Sequence, residues 1–292
     1  EHMAEGTLGC QGCGGALSMR LVLKELGQDA VAVLPACCWS IIDGPWPVHA
    51  LDIPVLHTAF ETAVVVATGV KAAKTVQGKD TTVVAWAGDG GTFDIGLQAL
   101  SGAAERNEDI LFICYDNEAY MNTGIQRSSA TPLGAHTSTA PAGKVKQGKE
   151  QNRKDLTAIM VAHNIPYVAQ TTPFHWKDLA MKVEKALACD GPAFLNILMP
   201  CTVGWHFDPA LGIDLAREAV ETNFWPLFEV ENGVYTINKK RKDREPIEPW
   251  MKKQGRFKHL FKPGNEGILE ASQQWVDDNW EKLLRLEGAI LV

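Results

Sequence analysis

Two short stretches of this chain carry residue types suited to holding a divalent cation and a diphosphate. Gly88-Asp89-Gly90-Gly91 ends a β-branched apolar run, Thr81 to Ala87, and Asn117 follows a second apolar run, Ile110 to Tyr115; twenty-six residues separate Gly90 from Asn117. Glycines at the carboxyl end of a parallel strand let a diphosphate approach backbone amides and a helix N-terminus. Asp89 then offers Mg²⁺ one hard oxygen, Asn117 a second and the Ala119 carbonyl a third, with diphosphate oxygens and water completing an octahedron. An isolated GDGG is more often a tight turn that binds nothing. Here a strand precedes each half and Ile95, Leu97, Leu100, Ala103 and Ala104 mark a helix between them, a strand–turn–helix–strand unit that favours the metal–diphosphate reading.

Seven cysteines are the second source of chemistry. A chain expected in the cytoplasm keeps its thiols reduced, so metal binding or burial accounts for them better than disulfides. Cys10 and Cys13 form a CxxC pair in a glycine-rich loop, Cys37-Cys38 follows a predicted strand, and Pro200-Cys201 follows another. On spacing alone, tetrahedral zinc and an iron–sulfur cluster both remain open. Cys114 within a strand and Cys189 at a helix end read as buried free cysteines.

The elements that must position these residues follow from periodicity. Ala16 to Leu26 repeats at helical spacing and is closed by Gly27, Ala30 to Leu34 is a buried strand, and Thr58 to Ala73 is a small-residue helix. Helix–strand alternation continues through Leu156 to His163, Tyr167 to Gln170, Trp176 to Cys189 and Ala193 to Leu198. The expected fold is α/β, a doubly wound, mostly parallel sheet with helices on both faces. The loop from Asn122 to Gly148 is too long for a plain connection and is expected to be functional. After Met199, Trp205, Trp225 and Trp250 stand among prolines and charges, with a basic run at Lys239 to Arg244. The expected organisation is a cofactor domain over 1–204 and a C-terminal extended arm over 205–292 packing on partner subunits. A composition of 46% hydrophobic and 22% charged residues supports a substantial core, and a net charge of −7 argues against nucleic acid or an anionic membrane as partner. No apolar run reaches the roughly 18 to 20 residues that span a bilayer, and no basic-then-apolar leader opens the sequence, hence the cytoplasmic expectation.

The stretch from Gly88 to Thr131 resembles the cofactor segment of the 2-oxoacid:ferredoxin oxidoreductases, especially the separate thiamine subunit of the four-subunit pyruvate enzymes. The similarity runs from the CxxCG motif at Cys10 to Gln254–Phe261 (QGRFKHLF). It implies a thiamine-diphosphate-binding fold and thiamine diphosphate held with Mg²⁺ by Gly88, Asp89, Gly90, Gly91, Asn117, Ala119 and Tyr120. Asn122 and Thr123 match positions that line cofactor and substrate. It further implies one [4Fe–4S] cluster on Cys10, Cys13, Cys38 and Cys201, with Cys38 also beside the cofactor and Cys37 the competing ligand. Gly15 stands where some relatives have a polar residue that reaches the cofactor, which puts that contact in doubt. The glutamate that activates the pyrimidine ring lies elsewhere in such enzymes, so Glu61 is not assigned that role, and His57, His136 and His163 read as structural. The implied reaction is oxidative decarboxylation of a 2-oxoacid, pyruvate first and oxalate second, with electrons passing to ferredoxin. The implied partners are a pyrimidine-binding subunit, a ferredoxin-like subunit, ferredoxin and coenzyme A. The competing readings are a non-redox thiamine-dependent decarboxylase and a zinc or electron-transfer subunit with a vestigial cofactor site.

Overall fold

The computed structural model describes residues 2–240 and 245–289. Eight strands form one sheet in the order β2-β1-β3-β4-β6-β5-β7-β8. They are β1 (Ala30–Pro35), β2 (Val55–Thr58), β3 (Thr82–Gly88), β4 (Leu111–Asp116), β5 (Tyr167–Thr171), β6 (Ala193–Leu198), β7 (Phe228–Glu231) and β8 (Val234–Ile237). Strands β1 to β6 pair in parallel, whereas β7 pairs antiparallel with both β5 and β8. Among the described residues the α-helices are α1 (Gly14–Leu26), α2 (Cys38–Asp43), α3 (Ala63–Val76), α4 (Leu97–Glu105), α5 (Leu156–Val161), α6 (Trp176–Leu187), α7 (Thr202–Trp205), α8 (Gly212–Glu221), α9 (Glu248–Lys252) and α10 (Glu266–Leu286).

The unbroken apolar runs of the central strands are explained by burial on both sides. Val84 and Trp86 of β3 and Ile113 and Tyr115 of β4 join one core with Met19, Val22 and Leu23 of α1 and Leu179 and Val183 of α6. Their alternates, Val83, Ala85, Phe112 and Cys114, join a second core with Ala63 and Ala67 of α3, Leu100 of α4 and Met160 of α5. From β1 the chain passes outward to β2 and then back across β1 to β3. The connection leaving β1 runs toward β2 and the one leaving β3 runs the other way, toward β4, which opens a crevice at the carboxyl ends of β1 and β3. Cys37-Cys38, Asp89, Asn117 and Cys201 all follow the carboxyl ends of β1, β3, β4 and β6.

The structure differs from the periodicity reading in three places. Thr58 closes β2 rather than opening a helix, because Val55 to Thr58 pairs in register with Ala32 to Pro35, and α3 begins only at Ala63. The helix expected from Ile95 begins earlier, as a π-helical turn over Gly90–Ile95 directly after Asp89. The residues after 204 fold onto the rest of the chain. Trp205, Trp225 and Trp250 are fully buried in a third core with Leu215, Phe257 and Val276, and β7 and β8 extend the sheet, so the aromatics that suggested an arm are covered within this chain. Of the basic run at Lys239 to Arg244, residues 241–244 lie outside the described residues. No described helix is long and apolar enough to cross a membrane.

Candidate active site

At the tip of β3, Asp89 is fully buried and its two carboxylate oxygens face different groups. Oδ2 accepts from the Ser128 hydroxyl at 2.5 Å. Oδ1 stands 2.8 Å from the inward atom of the Asn117 amide, and that same atom is 3.0 Å from the Ala119 carbonyl oxygen. With Nδ2 turned inward the amide donates to both oxygens. With Oδ1 turned inward three oxygens converge, and Nδ2 faces the Cys38 sulfur at 3.9 Å. Adjacent ligands of an octahedral Mg²⁺ with metal–oxygen distances of about 2.0–2.1 Å stand about 2.9 Å apart. Both oxygen separations fit that figure, so the donor set suits the hard cation that the sequence implied.

Electrostatics point the same way. Burial pushes the Asp89 carboxyl well above its ordinary range, nearby Asp116 and Glu118 add to this, and the Ser128 hydrogen bond only partly opposes it. Burial likewise lifts Asp116 to about 6 against the pull of Arg153. A buried carboxylate in such company holds its charge when a cation sits beside it.

The chain between β4 and Tyr120 is clamped on every side. Asn117 O accepts from the Trp205 indole at 2.9 Å, Glu118 N donates to Asp116 Oδ1 at 3.1 Å, and Glu118 O accepts from Thr131 Oγ1 at 2.5 Å. Tyr120 lies flat on Gly90, where a Cβ would stand 2.5 Å from the ring, and its hydroxyl donates to Asp94 at 2.8 Å. Only glycine at position 90 admits that ring.

Ala36, Cys37, Cys38, Phe60, Gly88 to Gly91, Tyr115, Asn117, Ala119, Tyr120, Met121, Asn122 and Thr123 line a cavity of about 330 Å³. Asn122 and Thr123 lie exposed in the turn at its mouth. A second cavity, of about 140 Å³, is lined by Cys10, Cys13, Cys38 and Cys201 together with Gly15, Ile42, Pro200 and Val203. Cys38, Tyr115, Asn117, Met121 and Asn122 belong to both walls. The two candidate ligands of the cysteine pair separate here. Cys38 shares the smaller cavity's wall with Cys10, Cys13 and Cys201, whereas the buried Cys37 caps α2 beside Tyr115 and lines only the larger cavity. Gly15 falls on the cysteine cavity rather than the larger one, because α1 starts at Gly14 and carries it beside the Cys13 sulfur.

Burial raises the Cys38 thiol to about 12, with Cys37, Cys201 and Cys13 adding to it, and raises Cys201 to about 11, with the Gly204 amide opposing. Thiols so placed become ligands only when a metal takes the proton's place. Cys114 is buried in the second core, and the Cys189 thiol donates to Lys185 O at 3.2 Å. The three histidines expected to be structural are bonded as such, His163 to Ser101 at 2.8 Å, His136, through Nδ1, to the Ala142 amide at 3.0 Å, and His57, through Nε2, to Asp43 at 3.2 Å. Sequence reasoning gave no place in the site to Ser128, Thr131, Tyr115, Met121, Arg153, Trp205 or Arg256. The length of the Asn122 to Gly148 loop and the resemblance over Gly88 to Thr131 were the signals that pointed toward Ser128 and Thr131.

These features define a thiamine-dependent enzyme domain, and residues 43–197 match the family described as "Thiamine pyrophosphate enzyme, C-terminal TPP binding domain". The chain is 48% identical to pyruvate synthase subunit PorB of Methanothermobacter thermautotrophicus, over 97% of this chain and 97% of that one. It is 47% identical to ketoisovalerate oxidoreductase subunit VorB of Pyrococcus furiosus, over 98% of this chain and 93% of the relative. Among solved structures it resembles the 2-oxoglutarate:ferredoxin oxidoreductase from Magnetococcus marinus, with a TM-score of 0.60 and 26% identity, covering 74% of this chain and 79% of that one. The chain belongs to the 2-oxoacid:ferredoxin oxidoreductases, as their thiamine-diphosphate-binding beta subunit.

Proposed function

We infer that this subunit binds thiamine diphosphate through Mg²⁺ on Asp89, Asn117 and the Ala119 carbonyl, and holds a [4Fe–4S] cluster on Cys10, Cys13, Cys38 and Cys201. It works in the oxidative decarboxylation of a 2-oxoacid, pyruvate in the first place, within a cytoplasmic complex. The observation that carries the reading is the wall shared by the two cavities, through Cys38, Tyr115, Asn117, Met121 and Asn122.

Thiamine diphosphate, when bound, supplies a carbanion for the 2-oxo carbon and a sink for the electron pair left as CO₂ departs. An iron–sulfur cluster, when bound, supplies one-electron acceptance. The protein's part is placement. Gly90 and Gly91 bring backbone close to the diphosphate, Asp89 and Asn117 fix the cation, and Tyr115 receives the Cys38 amide at 2.7 Å, holding that thiol on the shared wall. Asn122 and Thr123 at the mouth are placed to meet the substrate's carboxylate. Four thiols that ring a cavity suit a polynuclear cluster better than zinc, because a single Zn²⁺ with bonds of about 2.3 Å draws its four sulfurs to within about 4 Å of each other.

The remaining partners are a pyrimidine-binding subunit, which completes the cofactor pocket, a ferredoxin-like subunit and ferredoxin, with residues 205–292 contributing to the packing on them and coenzyme A accepting the acyl group. A branched 2-oxoacid is the second substrate reading, because the ketoisovalerate relative is as similar as the pyruvate one. Purified complex would be assayed for ferredoxin reduction with pyruvate, 2-oxoisovalerate, 2-oxoglutarate and oxalate, each with and without coenzyme A. Pyruvate should give the highest kcat/KM and require coenzyme A, with about four iron and about four sulfide per chain. Preference for oxalate without coenzyme A, or zinc in place of iron, would overturn it.

A further inference from the structure

The motif Gln254–Phe261 has no role in the site as described so far, yet it reaches that site. Glu118 is the residue between the two that offer oxygens to the metal, and it adopts the left-handed conformation, with φ of 68°. That is an unfavourable backbone for a side chain with a Cβ and persists only where the surroundings impose it. Its consequence is geometric: the reversal at 118 lets the Asn117 side chain and the Ala119 carbonyl oxygen approach to 3.0 Å.

Asp116 and Thr131 hold the backbone of Glu118, and a buried pair of guanidiniums holds its side chain. Glu118 Oε1 accepts from Arg153 Nη1 at 2.7 Å, and Arg153 also bonds Asp116 on the other side of Asn117. Glu118 Oε2 lies 2.6 Å from Arg256 Nη2, an ion contact whose angles fall outside an aligned hydrogen bond. Arg256 is held in turn. Its Nε donates to Gln254 Oε1 at 2.9 Å, its guanidinium lies over the Trp205 ring at 3.9 Å, and Gly255 presses on His206, where a Cβ would stand 2.7 Å from the histidine Cβ. Gln254, Gly255 and Arg256 thus act as one unit: a brace, a close approach and a charge. Because both Glu118 and Arg256 are fully buried, neither charge is satisfied by water; removing Glu118 strands Arg256, whereas removing Arg256 leaves Glu118 with Arg153 alone.

We propose that Glu118 and Arg256 are positioning residues of the metal–diphosphate site, through which the C-terminal segment fixes the angle between the Asn117 and Ala119 ligands. The inference rests on the metal reading given above and extends it to residues that touch neither cation nor cofactor. A displaced ligand weakens cation affinity without removing a donor, so the defect is expected in Mg²⁺ dependence and not in the thiolate cluster.

The test uses the assembled complex, stripped of cation and cofactor by chelation, and follows thiamine diphosphate uptake by equilibrium dialysis across a Mg²⁺ titration. Glu118→Gln and Arg256→Met should each raise the Mg²⁺ concentration at half-saturation by about ten- to a hundredfold. Arg256→Lys should raise it less, since it keeps the charge and loses the planar stack. Visible absorption of the cluster should be unchanged, and activity should return at saturating Mg²⁺. A half-saturation point within about threefold of the unsubstituted complex in Glu118→Gln overturns the proposal, since second-sphere defects usually exceed that; should Arg256→Met fail to assemble, the near-isosteric Glu118→Gln decides alone. Asp89→Ala runs in parallel. If it still takes up cofactor in a Mg²⁺-dependent way the metal reading itself fails, whereas loss in Asp89→Ala with normal behaviour in the other variants sinks only the positioning role.

Discussion

Asp89 serves two partners, and the division of its oxygens explains why one serine matters. Ser128 Oγ donates to Oδ2 and accepts from the Ala130 amide at 3.1 Å, so it steers the carboxylate and leaves Oδ1 to face Asn117. Replacing it removes a donor that favours the charged form of a buried carboxylate, a loss of about 1–3 kcal/mol. Ser128→Ala is therefore expected to weaken Mg²⁺-dependent thiamine diphosphate binding by about tenfold or more, 1.4 kcal/mol being one decade, while leaving cluster absorption intact. Isothermal titration against thiamine diphosphate at fixed Mg²⁺ reads the effect, and unchanged affinity would remove Ser128 from the site. Asp89, Asn117 and the cysteines could be proposed from the sequence because ligand chemistry admits few residue types and strand ends admit few positions. Ser128 and Thr131 could not, since polar residues in a long loop look alike until the fold brings them to a carboxylate. Glu118 and Arg256 were hidden for another reason: charged residues are exposed by default, and only contacts between distant segments reveal a buried pair.

A four-residue helix joins the two halves of the site. Cys201 caps α7, with its sulfur accepting from the Gly204 amide at 3.3 Å, and one turn later Trp205 holds the Asn117 carbonyl through its indole and underlies Arg256. Met121 packs against Gly204, where no Cβ could fit beside its sulfur. The Cys201 thiol and the Asn117 backbone are thus tied to one turn. Trp205→Phe keeps the buried ring but deletes the donor and weakens the stack, at a cost of about 1–2 kcal/mol. Cofactor affinity should fall by about tenfold with little change in the thermal midpoint of the complex, because the third core retains its aromatic. A variant that loses stability but binds normally would make Trp205 a packing residue only. The expected strands and helices of the central sheet were readable, since two-sided burial writes continuous apolar runs. Helices as short as α7 and strands as short as β2 and β7 were not, since four residues give no period to count.

At the scale of the whole molecule, the sheet does not stop where the parallel strands end. Strand β7 pairs with β5 from Tyr167 to Gln170, and the Tyr167 hydroxyl donates to Glu229 at 2.5 Å. Trp225 donates its indole N–H to Thr171 O at 2.8 Å, and α10 lays Trp280 and Leu283 on the second core. A segment that serves only as an arm would exchange its amides independently of the sheet; one that shares hydrogen bonds, an ion-pair network and two cores opens with it. Tryptophans scattered among charges could not reveal which partner covers them, because burial by self and burial by another subunit leave the same mark on a sequence. Hydrogen exchange separates the two. In the chain released from its partners, the amides of Phe228, Val230 and Trp225 should be protected to the same degree as those of β5 and β6. Should they exchange freely while β3 to β6 stay closed, residues 205–292 depend on partner subunits for their structure, and the brace on the metal loop exists only in the assembled enzyme.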